Sequence, residues 1–215
     1  MYDIMYAGGS MFITFEGMDG AGKSTQIDLL CEHLRKNGHD FIVTREPGGT
    51  VVCEKIREII LDRNNEGMNC MCEALLYAAS RAEHVDKVIR PALDAGKIVL
   101  CDRYIHSSIA YQGYGRQLGA DVIESINDGA VAGIYPDITF FLMLSPDNVH
   151  HRITQSGKDH DRLEKEAVTF FERVHKGYTE IAKNDDNIII INASNTIESI
   201  SDIIKKAVDN IIENQ

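Results

Sequence analysis

The chain has 215 residues, of which 44% are hydrophobic and 26% are charged, a balance typical of a globular protein. Its formal net charge of −11 disfavours non-specific binding to nucleic acid and to anionic membranes, so we expect neither as a partner. The apolar runs are too short to span a bilayer, and the first residues lack the pattern of a secretory signal. The five cysteines are scattered and odd in number, which favours reduced thiols. We therefore expect a cytoplasmic protein.

Residues 1–10 precede the first strand pattern and contribute nothing to it. We expect them to form a disordered extension. The sequence shows no stretch with the composition of a linker, so a single domain is expected over residues 11–215.

A phosphate-binding pattern follows the first predicted strand, residues 11–15. Residues 17–24 fit G-x-x-x-x-G-K-[ST], and the apolar residues of 25–34 have helical spacing. In such a unit the backbone N–H groups bind phosphate, Lys23 reaches the outer phosphates and the Ser24 hydroxyl ligates Mg²⁺. The sequence therefore predicts a site for a nucleoside triphosphate with Mg²⁺. The expected phosphate-binding residues are Gly17, Asp19, Gly20, Ala21, Gly22, Lys23, Ser24 and Thr25.

Four more predicted strands alternate with helices along the chain. The strands are 40–44, 97–101, 137–144 and 187–192, and the helices are 53–62, 72–95 with a kink at Pro91, 121–132, 146–154, 164–183 and 197–212. This alternation favours right-handed crossovers between parallel strands. The sequence therefore predicts an α/β fold, a five-stranded parallel sheet flanked by helices on both faces. Its ligands are expected beyond the carboxyl ends of the strands.

Charged residues follow two of these strands directly. Arg45 and Glu46 come after the second strand, and Asp102 and Arg103 come at the end of the third. A carboxylate at the end of a hydrophobic strand is how phosphate-loop folds hold a group close to Mg²⁺. We therefore expect Asp102, together with Ser24, to be the metal-binding side chains.

Four arginines are spread over different predicted elements: Arg45, Arg57, Arg81 and Arg103. Guanidinium groups bind phosphate through paired hydrogen bonds, so converging arginines predict a second substrate that carries a phosphate. The alternative is that each arginine is a solvated charge or an ion-pair partner, above all Arg57 in the middle of its helix.

Several motifs together resemble the thymidylate kinase family, whose members phosphorylate dTMP to dTDP with ATP in dTTP biosynthesis. These motifs occur in the family's order from Met11 to near the end of the chain: Glu16–Thr25, Thr44–Thr50, Ala78–Arg81, Cys101–Tyr104, Ser107–Gly113 and Asp161–Glu164. The resemblance implies a homodimer. It also implies a dTMP site formed by Asp19, Arg45, Glu46, Arg57, Tyr77, Arg81, Arg103, Ser108, Tyr111 and Gln112.

The resemblance assigns a role to each group of this set. Three arginines, Arg45, Arg57 and Arg103, would hold the dTMP phosphate. Asp19 would bind the 3′-hydroxyl of the sugar, with Glu46 close by. The thymine edge would be read by Arg81, Ser108 and Gln112, and Tyr111 would stand against the sugar. Tyr77 replaces a phenylalanine that usually stacks on the base, which keeps the aromatic face and adds a hydroxyl.

Residues 152–162 resemble the lid that closes over the triphosphate and excludes water. Gly20 stands where one class of the family has an arginine, and the bacterial class instead supplies basic lid residues. The residues that would assist transfer are Lys23, Asp102, Arg103, Arg152, Lys158 and Arg162.

Two other functions stay open from the residues alone. A deoxynucleoside kinase shares this fold but needs a carboxylate base near the sugar, for which Glu46 is the candidate. A nucleotide-dependent switch or binding protein would hydrolyse the triphosphate without transfer. A phosphate acceptor needs no base, because its second pKa of about 6 leaves it largely dianionic at neutral pH.

Overall fold

Five parallel strands form one sheet in a computed structural model that describes residues 9–145, 162–163, 166–183 and 185–214. The strands are β1 Met11–Glu16, β2 Phe41–Arg45, β3 Ile98–Asp102, β4 Ile138–Met143 and β5 Ile188–Asn192. Their order is β2-β3-β1-β4-β5. In the central strand, Phe15 is opposite Asp102 of β3 and Phe140 of β4. The predicted five-stranded parallel sheet is confirmed.

Helices surround this sheet. They are α1 Lys23–Lys36, α2 Val51–Leu61, α3 Cys70–His84, α4 Arg90–Asp94, α5 Ile105–Ser108, α6 Ala120–Val131, α7 Val168–Ile181 and α8 Ile197–Glu213. Successive side chains of a strand point to opposite faces, and β1 follows this rule. Ile13 and Phe15 pack in a core with residues of α1, α7 and α8, whereas Phe12 packs in a second core with residues of α3, α4 and α6. Because both faces of β1 are covered, all six of its residues are buried.

The long helix predicted over residues 72–95 is divided in the structure. A π-helical segment, Val85–Ile89, separates α3 from α4, and Pro91 is near the start of α4. Proline lacks an N–H group and crowds the carbonyl four residues earlier, so the chain widens its turn before it. The kink predicted at Pro91 therefore takes the form of a π-helical segment.

Residues 105–115 form a second helical region that the sequence pattern did not predict. α5 continues directly into a π-helical segment, Ile109–Gly115. Gly113 and Gly115 weaken any helical prediction, and a π-helix does not follow the 3.6-residue spacing of apolar side chains. This region carries three of the expected dTMP-binding residues.

Several predictions fall outside the described residues. These are the helix at 146–154, the extension over residues 1–8 and the lid residues 152–161. Within the described part, Ser10 is buried and β1 starts at Met11. The same part of the chain has no helix long and apolar enough to cross a membrane. It includes all five cysteines, and each is a free thiol.

Candidate active site

The loop between β1 and α1 has the backbone conformation of a phosphate cradle. Gly17, Gly20 and Gly22 have φ angles of 135°, 77° and 93°, a region that glycine adopts without strain. Among the described residues, no side chain caps the N-terminus of α1, and the first turn holds no acidic residue. The N–H groups and positive dipole end of α1 are thus left for an anion. Ser24 and Thr25 are exposed on that first turn.

Lys23 and Asp102 meet beside this loop. The Lys23 ammonium donates to the carbonyl oxygens of Gly17, at 3.2 Å, and Met18, at 3.4 Å. Its Nζ lies 3.9 Å from Oδ1 of Asp102. Burial, helped by repulsion from Arg103, lowers the pKa of Lys23. Oδ1 of Asp102 is buried and accepts no hydrogen bond from the described residues.

Arg103 connects the loop to a neighbouring cavity. Its φ of 69° is in the left-handed region, which is strained for arginine and makes this position a candidate for a functional role. Its guanidinium donates to the Gly17 carbonyl at 2.8 Å and to Oδ1 of Asp19 at 2.7 Å. The guanidinium carbon is also 5.2 Å from the centre of the Tyr111 ring. Arg103 is thus held in place by the phosphate loop itself.

The Asp19 carboxylate stays ionised over the physiological range. Burial raises its pKa, but the charges of Arg103 and Lys23 outweigh that effect and lower the pKa to about 2. The Tyr111 hydroxyl lies 3.5 Å from its second oxygen. An ionised acceptor at this point suits a hydroxyl donor of a ligand.

A buried carboxylate, Glu16, organises the loop that follows β3. It accepts hydrogen bonds from the backbone N–H groups of Tyr104, at 2.8 Å, and Ser107, at 3.1 Å. The Tyr178 hydroxyl of α7 donates to it at 3.2 Å. Burial raises the pKa of Glu16, and this effect outweighs the hydrogen bonds, which lower it. Its place at the end of β1 is a sequence signal for this role, whereas Tyr178 is indistinguishable from a core residue of an amphipathic helix.

A cavity opens beside Arg103, with about 560 Å³ of empty space when the solvent at its mouth is included. Its lining includes nine of the ten residues expected to bind dTMP: Asp19, Glu46, Arg57, Tyr77, Arg81, Arg103, Ser108, Tyr111 and Gln112. Pro47, Leu61, Tyr104, Ser107 and Leu163 complete the described lining. The sequence motifs and the folded chain thus select nearly the same set of side chains.

Arg45 is the expected dTMP-binding residue that lies outside this lining. Its side chain is 51% exposed, and Nη2 lies 2.8 Å from a carboxylate oxygen of Glu54. It therefore matches the ion-pair alternative left open by the sequence. Arg57 does line the cavity, and its Nη1 donates to the Pro47 carbonyl at 3.1 Å.

A buried polar network holds Arg81 in the lining of the cavity. Its guanidinium pairs with Glu46 at 2.7 Å, donates to the Ser108 hydroxyl at 3.1 Å and hydrogen-bonds Asn127. The other oxygen of Glu46 is 2.9 Å from Nδ1 of His84. No sequence pattern singled out Asn127 or His84 as partners.

Arg162 belongs to a second buried network. It was expected to face the triphosphate as a lid cation, but its contacts in the structure are different. Its guanidinium hydrogen-bonds the Glu73 carboxylate and donates to the Ile60 carbonyl at 2.8 Å. The same carboxylate accepts from the side-chain amide of Gln112 at 2.9 Å. A buried carboxylate attracts a nearby guanidinium strongly, which accounts for this position. Arg152 and Lys158 lie outside the described residues.

These features define a class of protein. A phosphate loop and a neighbouring polar cavity, joined by an arginine at the carboxyl ends of parallel strands, belong to an α/β phosphotransferase of the phosphate-loop type.

Comparison with known proteins narrows this class. The family model for thymidylate kinase matches residues 15–204. The thymidylate kinase of Finegoldia magna is 50% identical over 190 residues, which cover 88% of this chain and 93% of that protein. The thymidylate kinase of an Exiguobacterium species is 49% identical, with coverages of 89% and 91%. The crystal structure of thymidylate kinase from Ehrlichia chaffeensis superimposes with a TM-score of 0.76 at 36% identity, covering 94% of this chain and 99% of that one.

The chain belongs to the thymidylate kinase family. Its activity is accordingly the ATP-dependent phosphorylation of dTMP to dTDP. This confirms the resemblance drawn from the motifs. It favours a kinase that phosphorylates dTMP over the two alternatives, a deoxynucleoside kinase and a nucleotide-dependent switch.

Proposed function

We propose that transfer occurs where the phosphate loop meets the cavity, with ATP on the loop and dTMP in the cavity. The observation that carries this proposal is the position of Arg103, which lines the cavity and donates to the Gly17 carbonyl of the loop. A guanidinium at this junction can contact both the donor and the acceptor phosphate. Binding both phosphates in line converts a bimolecular reaction into an effectively unimolecular one.

Charge neutralisation supplies the rest of the catalysis in this proposal. The dTMP phosphate is largely dianionic at neutral pH and attacks without a general base. Lys23 and Arg103 stabilise the charge that spreads over the transferred group, and Arg57 holds the acceptor phosphate. Arg152 and Lys158 are proposed as further cations from the lid. Arg162 could join them only by leaving Glu73, and Arg45 could join the acceptor site only by leaving Glu54.

Mg²⁺ is the metal that the residues at the loop can hold. Asp102 offers a buried carboxylate oxygen without a hydrogen-bond partner among the described residues, and Ser24 offers a hydroxyl at the start of α1. No group of three or more His, Cys, Asp or Glu side chains in the described part forms a metal cage. This suits Mg²⁺, which proteins bind through one or two side chains together with substrate phosphates. When bound, the metal would neutralise phosphate charge.

The cavity suits a deoxynucleotide with thymine as its base. In this proposal Asp19 accepts the 3′-hydroxyl, and Tyr111, whose hydroxyl lies 3.5 Å from Asp19, stands against the sugar. Arg81, Ser108 and Gln112 bring polar groups to the lining, and Tyr77 offers an aromatic face. Glu46 is a poor candidate for a base because Arg81 and His84 occupy its two oxygens. That occupation argues against phosphorylation of a nucleoside hydroxyl.

A homodimer is proposed as the working assembly. Five of the large apolar side chains exposed in the described residues lie on the adjacent helices α2 and α3: Val51, Val52, Ile59, Met71 and Leu75. Exposed apolar side chains concentrated on two packed helices are typical of an interface between subunits. A second copy of the chain is the partner that the family resemblance implies.

A cytoplasmic location is proposed from the cysteines. All five are free thiols in the described residues, and thiols persist in reducing compartments.

The role of Arg103 is tested by substitution. We expect Arg103→Gln to lower kcat for dTMP-dependent ADP release by about 10²- to 10³-fold, the usual cost of removing one donor to the transition state. Arg90→Gln is the matched control, because Arg90 donates to the Ala132 carbonyl and does not line the cavity. An Arg103→Gln enzyme with kcat close to that of the Arg90→Gln control would contradict the proposal.

A further inference from the structure

Glu73 is a fully buried carboxylate that no step of the proposed reaction uses. It lies in the first turn of α3 and is 0% exposed. It does not line the cavity, but one of its oxygens accepts from Nε2 of Gln112 at 2.9 Å. Gln112 is a lining residue and is itself 1% exposed.

Two guanidinium groups hold this carboxylate in place. Arg116 donates to both of its oxygens, at 3.1 Å and 3.2 Å, and Arg162 hydrogen-bonds the second oxygen. Arg116 is held in turn by Glu166 at 2.5 Å. Burial raises the pKa of Glu73, but its hydrogen bonds from Arg116, Gln112 and Arg162 and the charge of Arg116 lower it below the usual value. Glu73 is therefore ionised when the enzyme works.

An ionised carboxylate can only accept hydrogen bonds, and this determines how Gln112 is oriented. A glutamine amide has one donating end and one accepting end, and either could face a ligand. With Glu73 ionised, the nitrogen must face the carboxylate, so the carbonyl oxygen is turned away from it. Rotating the amide by half a turn would set two oxygens against each other in a buried site, which is strongly unfavourable.

We propose that Glu73 is a positioning residue that sets the hydrogen-bonding polarity of Gln112 and so makes the cavity select a pyrimidine with a protonated N3. Thymine carries an N3–H donor between two carbonyl groups, whereas cytosine carries an unprotonated N3 acceptor at the same point. The carbonyl oxygen of Gln112 accepts a hydrogen bond from the N3–H of thymine and repels the unprotonated N3 of cytosine. This inference rests on the proposed placement of dTMP in the cavity.

Binding of dTMP and of dCMP to the purified full-length chain, measured by titration calorimetry without ATP, tests the inference. Glu73→Gln keeps the size of the side chain but supplies an amide that can donate to the Gln112 carbonyl as well as accept from its nitrogen. We expect the ratio of the Kd for dCMP to the Kd for dTMP to fall about ten-fold, the worth of one hydrogen bond. At saturating dTMP, kcat should stay within about two-fold of wild type. The contact with the base is made equally in the ground state and the transition state, so its loss raises KM and leaves kcat unchanged.

Glu73→Asp is the conservative control, since it retains an acceptor-only group on a shorter side chain. We expect it to weaken dTMP binding while the dCMP to dTMP ratio stays close to the wild-type value. If Glu73→Gln leaves two buried cations too poorly balanced to fold, the charge-balanced variant Glu73→Gln/Arg116→Gln replaces it, with the same expected fall in the ratio. Arg116 does not line the cavity.

The results separate this inference from the proposed function. A wild-type chain that binds neither nucleotide would overturn both. A wild-type chain that binds dTMP, with a Glu73→Gln variant (alone or with Arg116→Gln) that weakens dTMP and dCMP equally, would mean that Glu73 only supports the fold, and would overturn the inference alone.

Discussion

Single side chains in this protein hold charge in places where burial opposes it. Arg103 is 16% exposed, yet the attraction of Asp19 outweighs the cost of burial and holds its pKa well above the usual value. Arg103, Asp19 and Lys23 could be selected as candidates from the sequence, because a phosphate loop and a charged strand end are local patterns. It could not predict Glu73 or Asn127, since a polar residue on a helix is usually solvated and only folding shows what covers it.

His106 of α5 is a buried imidazole whose effect on stability depends on pH. It packs edge to face on Phe141, and burial, opposed by Asp185 and helped by Arg81, lowers its pKa to about 4 from an ordinary value of 6.5. Above pH 6.5 the ring is neutral in the folded and unfolded chain. As the pH falls from 6.5 to 4, the unfolded chain takes up a proton first, so the free energy of unfolding decreases.

We expect this loss to reach about 3 kcal/mol at pH 4, because one unit of pKa difference corresponds to about 1.4 kcal/mol. His106→Gln removes the titrating group and should flatten the decrease over the same interval. Urea unfolding at several values of pH between 4 and 8 measures both curves. Parallel curves for wild type and variant would contradict the assignment.

At the scale of elements, the turn between β1 and α1 was predictable and the helical region after β3 was not. Glycine spacing, a preceding apolar strand and a following helical pattern identify a phosphate loop without tertiary information. The π-helical segment Ile109–Gly115 has no such pattern, because its wide turn is stabilised by packing against α6 and α7. The helical stretch predicted over 72–95 agrees within two residues with the observed 70–94, but its π-helical segment Val85–Ile89 was not predictable for the same reason.

Gly17 illustrates how closely the loop approaches the sheet. A Cβ at this position would lie 2.4 Å from the carbonyl oxygen of Leu142, and its φ is +135°. We expect Gly17→Ala to lower the free energy of unfolding by about 3 kcal/mol, combining overpacking with left-handed strain.

Gly38→Ala is the matched control for Gly17. Gly38 also has a positive φ, +80°, but a Cβ there would meet nothing within 4 Å. Its cost should be about 1 kcal/mol, from backbone strain alone. Equal losses for the two variants in urea unfolding would show that the approach to Leu142 does not restrict residue 17.

At the scale of the whole molecule, alternation of strands and helices was sufficient to predict a parallel sheet covered on both faces. Right-handed crossovers leave few other arrangements for such a chain. The alternation does not determine the order of the strands, because that order depends on which strands pair with each other during folding. The exposed apolar side chains of α2 and α3 emerge only once the helices are placed on the sheet.

The proposed homodimer predicts that charges on this surface disrupt association. We expect Leu75→Asp, combined with Val52→Asp, to convert a dimer to a monomer at micromolar concentration, as measured by sedimentation velocity. Ile203→Asp is the control, because Ile203 is an exposed apolar residue of α8, away from α2 and α3. A wild-type monomer, or a double variant that stays dimeric, would contradict the proposed interface.

The most direct measurement is ADP release with Mg²⁺ and ATP, with dTMP, dUMP, CMP, AMP and thymidine supplied separately beside a reaction without acceptor. We predict strong release with dTMP, little with CMP, AMP or thymidine, and almost none without an acceptor. Release that needs thymidine rather than dTMP would favour a nucleoside kinase that uses Glu46 as base. Release that is independent of the acceptor would favour a nucleotide hydrolase, and either result would contradict transfer between two phosphates at Arg103.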